Sequence, residues 1–138
     1  IAINDIHKRK STEIELEKEK TRLRTLIHTI PEPVWVKDKE GVYLFCNTEY
    51  EKLLGFSEHS IVGKKDIDFL GLEKSEQFRN NDLQAIEKRS SLKTEEKIQL
   101  KHGNHGLFEV IRTPMFDKKT VFIGILGIMR DITESRKT

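Results

Sequence analysis

The sequence predicts an α+β domain: a five-stranded antiparallel sheet with helices on one face, preceded by an N-terminal amphipathic or coiled-coil helix. Three observations carry this. The stretch Pro33–Asn47, PVWVKDKEGVYLFCN, holds two short β-branched and aromatic runs around a polar, glycine-containing turn. Three more strand-like runs, Leu92–Leu100, Leu107–Met115 and Val121–Met129, come after the helical signals. Residues 1–30 are highly charged and contain no glycine or proline, a composition that favours helix. Strands grouped in this way build one antiparallel sheet rather than alternating βα units.

The elements follow in order. Thr12 and Glu15 have the spacing of a capping box, which predicts a helix start there. Leu16, Leu23 and Ile30 fall seven apart with Leu26 and Ile27 between the last two, a stripe about two heptads long. It suits either a helix folded onto its own domain or a parallel two-helix coiled coil. Pro31 and Pro33 end the helix. Strands at Val34–Val36 and Val42–Phe45 flank a turn at Gly41, and Asn47 caps a helix that Gly55 closes. Ser57–Gly71 reads as short irregular helical turns, and Ser75–Arg89 as a helix with Phe78, Asp82, Leu83, Ala85 and Ile86 at helical spacings. Leu92–Leu100 alternates as a half-exposed strand does, and Pro114 marks a bulge or an end. Val121–Met129 is apolar on both faces, so both need cover.

Composition bounds the function. A chain of 138 residues, 36% apolar, holds one domain with an appendage. The net charge of +2 gives no long-range pull toward nucleic acid or anionic membrane. The absence of a membrane-length apolar run or signal pattern predicts a cytoplasmic module, whether or not a longer parent is anchored. The single cysteine, Cys46, excludes an internal disulfide and reads as a small buried hydrophobe. No P-loop, dinucleotide glycine pattern, HExxH or Ser/His/Asp ordering appears, so no catalysis is expected. His102 and His105 sit in a predicted hairpin loop without a cysteine or carboxylate cluster, which reads as a solvated turn and not a metal site.

WVKDKEGVYLFCN, then LLGFS, IVGKKDIDFL, TPMFD and GILGIMRDIT, spread over Thr25–Thr138, resemble in this order the PAS sensor family with its C-terminal extension. In that family the Asp131-Ile132-Thr133 ending terminates the last strand and opens an output helix. Residues Ile3–Lys10 resemble Met129–Arg136, a short internal repeat. The implied organisation is the tail of a preceding PAS-like module at 1–10, a linker and dimerisation helix at 11–30, a PAS domain at 31–133 and an output linker from 134 to 138. The resemblance implies a sensory and dimerisation module of a tandem-PAS histidine kinase of a two-component system, or of a diguanylate cyclase. Its partners would be a second copy through Leu16, Leu23, Leu26, Ile27 and Ile30, and the adjacent PAS-like and output domains, with no nucleic acid.

The resemblance also bears on cofactors. Flavin-binding relatives carry a reactive cysteine on a mid-domain helix, and Lys65–Leu70 has none; haem-binding relatives use a histidine on the long helix, and Ser75–Arg89 has none. Both cofactors are disfavoured, which leaves an unknown small ligand or no ligand. The family cavity, between the sheet and the long helix, implies Trp35, Lys37, Phe78, Arg79, Asp82, Phe108, Val110, Arg112 and Leu126 as its lining, with Phe122, Gly124, Leu126 and Ile128 facing inward from the last strand. Either Arg112 or Lys37 pairs with Asp82, Glu96 or Glu109 or reaches solvent, or Arg112 or Arg79 grips an anion such as a carboxylate. Gly124 and Gly127 either open room for a ligand or admit a neighbouring backbone. Two functions stay open: a sensor with a ligand in its core, and a ligand-free adapter that relays motion.

Overall fold

The computed structural model describes residues 2–100 and 103–134. The chain divides into two compact units, Ile1–Ile30 and Pro31–Thr138.

The first unit is a single helix, α1 (Ala2–Thr29). It runs without a break through Thr12, so the Thr12–Glu15 pattern does not mark a helix start. Nothing between residues 2 and 11 stops a helix, and a capping motif ends one only where the preceding residues cannot continue it. The Glu15 carboxylate pairs instead with Lys18 at 3.7 Å, Glu17 with Lys20 at 3.6 Å, and Glu19 with Arg22. Residues 3–10 are helical and continuous with the rest. Leu16, Leu23 and Leu26 are exposed, while Ile27 and Ile30 are half-buried.

The second unit contains β1 (Val34–Asp38), β2 (Tyr43–Cys46), α2 (Thr48–Leu54), α3 (Glu58–Ile61), a 3₁₀ turn (Asp66–Asp68), α4 (Leu72–Lys88), β3 (Leu92–Gln99), β4 (His105–Phe116) and β5 (Phe122–Asp131). The strands form one antiparallel sheet in the order β2-β1-β5-β4-β3. Gly41 takes φ 85° in the β1–β2 turn, where the Asp38 carboxylate accepts from the amides of Glu40 and Val42. Asn47 caps α2 as expected: its Oδ1 accepts from Tyr50 N at 3.1 Å and from Val34 N at 3.0 Å, fastening the helix start to β1. Gly55 closes α2 at φ 82°. Helix α4 starts three residues earlier than its apolar pattern and lays Ser75, Phe78, Asp82 and Ala85 against the sheet. Pro114 lies beyond the last β3–β4 pair, Leu92–Arg112, so its missing N–H leaves no β3 carbonyl unmet, and the register shifts just after it.

Residues directly opposite in an antiparallel pair share a face. Trp35, Gly127 and Arg112 form one such row, Lys37 with Ile125 a second, and Met129 with Val110 a third. The inward set on β5 is therefore Ile125, Gly127 and Met129. Leu126 and Ile128, expected on the inner face, lie on the opposite one, and Leu126 stands beside Val36 and Thr113. A strand apolar on both sides carries no alternation to set its register, and a slip of one residue exchanges its faces. The core gathers Trp35, Tyr43, Cys46, Tyr50, Ile61, Phe78, Ile98, Phe108, Val110 and Met129.

Candidate functional site

Between α4 and the inner face of the sheet lies a row of buried charges. Lys37, on β1, places Nζ 2.5 Å from Asp66 and 2.9 Å from Asp82. The other oxygen of Asp82 accepts from Arg112 Nε at 2.9 Å. Arg112 Nη1 then donates to Glu96 Oε2 at 2.6 Å, and the Thr94 hydroxyl donates to that same oxygen at 2.5 Å. Lys37 is 2% exposed and Arg112 wholly enclosed. An enclosed cation without a partner would cost several kcal/mol, on the order of the penalty for any unpaired buried ion. Here each cation holds two carboxylates.

Aromatic groups complete the network. The Tyr50 hydroxyl lies 2.7 Å from that of Tyr43, which donates to Asp66 at 2.5 Å. Burial, then the charge of neighbouring groups including Asp66, pushes both phenols well above their ordinary value, so they remain O–H donors. Burial alone pulls Arg112 down; the hydrogen bond and charge of Glu96, then those of Asp82, outweigh it and carry the guanidinium up. The Arg112 guanidinium stands 5.3 Å from the Phe78 ring and 5.8 Å from that of Trp35. Trp35 reaches it by lying across Gly127, where an added Cβ would overlap the indole. Gly124 likewise has the Lys37 carbonyl where a Cβ would sit. Gly124 thus admits a neighbouring backbone, one of the two readings the sequence left open, whereas Gly127 admits a side chain, which neither reading held.

The structure thus unites Trp35, Lys37, Phe78, Asp82, Phe108, Val110 and Arg112 on one interior. It sends Leu126 to the other face and leaves Arg79 exposed on α4. Arg112 and Lys37 are engaged by Asp82, Glu96 and Asp66, not by Glu109, which pairs with Lys93 at 3.9 Å. Sequence reasoning missed Tyr43, Tyr50 and Asp66. Asp66 sits in a single 3₁₀ turn with no periodicity to read, whereas Glu96 is legible from the inward alternation of Thr94, Glu96 and Ile98. Cys46 is buried. His105 opens β4 opposite Gln99, and His102 lies outside the described residues. Among the described residues no three histidine, cysteine, aspartate or glutamate side chains converge as metal ligands, and no helix is long and apolar enough to cross a membrane.

At the C-terminal end of the sheet, Thr133 Oγ1 accepts from Leu107 N at 2.9 Å and donates to Asp131 at 2.6 Å. Ile132 N donates to the Leu107 carbonyl at 2.9 Å. Asp131, Ile132 and Thr133 are thereby tied to the start of β4, and residues 133–134 are helical.

A family model described as the PAS fold matches residues 27–137. The aerobic respiration control sensor protein ArcB of Escherichia coli K12 is 28% identical over 121 residues, covering 88% of this chain and 16% of the relative. A diguanylate cyclase of Vibrio cholerae is 31% identical over 103 residues, covering 73% of this chain and 32% of the relative. The chain therefore spans a minor part of these signalling proteins. Among solved structures, the PAS domain of Bordetella pertussis BvgS superposes with a TM-score of 0.63 at 24% identity, covering 86% of this chain and 90% of that one.

Proposed function

The chain belongs to the PAS family, and from that premise we propose that it is a signal-relay module of a larger kinase or cyclase, working without a ligand in its interior. One observation carries this reading: Lys37, Asp66, Asp82, Glu96 and Arg112 occupy the space between α4 and the sheet and satisfy one another. Arg112 sits on β4, and the same strand begins where Leu107 binds Thr133. A rearrangement of the network is conveyed along β4 to the Asp131–Thr133 exit, and thence to whatever helix follows. The input is a movement of the segment before Pro31, and a second copy of the chain docks through the exposed Leu16 and Leu23. Such a relay needs two arrangements of the network that differ by only a few kcal/mol.

Amide hydrogen exchange tests it. Asp82→Asn weakens the link between Lys37 and Arg112, and protection at Leu107 and Thr133 should fall together with protection around Arg112. Unchanged exchange at Leu107 and Thr133 would disconnect the network from the exit.

One observation favours a second reading, a small ligand in the interior. Trp35 Nε1 is enclosed and has no acceptor among the described residues. A ligand oxygen would meet it. Screening pooled metabolites by thermal shift separates the two readings, because a ligand that raises the melting temperature of the wild type and loses this effect in Trp35→Phe favours the second.

A further inference from the structure

Beside the buried network, and sharing Lys37 and Asp82 with it, a cleft of about 350 Å³ opens between the β1–β2 turn, the 3₁₀ turn and α4. That volume lies at the lower end of the roughly 300–1,000 Å³ usual for small-molecule sites. Its floor is apolar: Leu83 and Ile86 from α4, with Phe122 and Ile125 from β5. Its rim carries Lys39, Lys65 and Arg79, all exposed and none ion-paired among the described residues. Three carboxylates also line it. Both oxygens of Asp82 are taken by Lys37 and Arg112, whereas Asp38 gives only Oδ1 to two turn amides and, like Glu40, has no cation among the described residues. The charges without an ionic partner are thus three cations and two carboxylates above an apolar floor, a surplus of one positive charge.

We propose that this lateral cleft binds an organic anion with a carboxylate head and a short apolar tail. Arg79 offers its planar fork to the head, Lys65 and Lys39 add charge, and the tail lies on Leu83, Ile86 and Phe122. Lys37 and Asp82 belong both to the cleft wall and to the buried network. Occupancy therefore acts on the interior charges from outside, a consequence that rests on the relay reading; binding itself does not.

Hexanoate is the probe, with hexylammonium as the control of opposite charge, titrated into the full chain and followed by backbone amide NMR. Hexanoate should shift the amides of Lys39, Lys65, Arg79, Leu83 and Ile86, and hexylammonium should leave them in place. Arg79→Gln, an exposed change that spares the core, should weaken hexanoate binding about tenfold by removing a charge-assisted contact. An equal response to both probes, or undiminished hexanoate binding by Arg79→Gln, overturns the proposal. No response to hexanoate overturns it and leaves the relay, tested by amide exchange, standing. Shifts centred on Trp35, Phe78 and Val110 overturn both the cleft and the ligand-free interior.

Discussion

Arg112 concentrates the consequences at the residue scale. Arg112→Ala strands Glu96 without its cation in an enclosed space and leaves Asp82 to Lys37 alone, and should cost about 3–5 kcal/mol of stability. Chemical denaturation checks this as a lower midpoint at unchanged slope. Gly127→Ala drives a methyl into the Trp35 indole and should cost about 1–3 kcal/mol. The loss should shrink in a Trp35→Leu background, read by a double-mutant cycle, because the two residues touch. Tyr43 and Tyr50 set a pH limit. Their folded values lie well above the ordinary 10.0, so the native state holds protons that the unfolded chain releases. The stabilisation they give is complete below about pH 10 and is lost as pH rises toward the folded values. Melting temperature measured from pH 8 to 11 should fall steeply at the alkaline end, and Tyr50→Phe should flatten that fall. Arg112, held above the ordinary guanidinium value by Glu96 and Asp82, stays charged throughout this range and adds no slope of its own.

At the scale of elements, what the sequence showed and what it hid have separate physical causes. Helix α2 was readable to the residue because Asn47 and Gly55 are local signals whose hydrogen bonds do not depend on the rest of the fold. The facing of β5 was not. VFIGILGIM has no polar alternation, and its register is fixed by the row Trp35–Gly127–Arg112, a tertiary arrangement. Within the candidate site, Lys37 and Arg112 were reached through the family resemblance and Asp82 through helical spacing, while Asp66, in a lone turn, carried no signal of either kind. The start of α1 was misplaced because a good cap inside a continuous run of helix formers is only another helical residue. For α1, the exposed Leu16 and Leu23 form the contact proposed for a second copy. Replacing both with aspartate should turn dimers into monomers in light scattering; persisting dimers would place the contact elsewhere.

The whole molecule divides at Ile30–Pro31, and every member of the main hydrophobic core belongs to the second unit. A chain beginning at Pro31 should therefore fold alone, with its melting temperature within about 5 °C of the full chain, a shift equivalent to roughly 1 kcal/mol. Circular dichroism on heating checks this, and an unfolded fragment would show that α1 is needed for the sheet.

The five interior charges have one more consequence, for anyone who would rebuild this domain to carry a guest. Formally three are negative and two positive, so deleting either cation widens the imbalance, whereas deleting a carboxylate balances the set but takes one partner from a buried cation. Vacating the room means evicting all its tenants together, for instance with Met at 37 and 112, Asn at 66 and Leu at 82 and 96. A conversion that begins with Lys37 or Arg112 would pass through intermediates less stable than either endpoint.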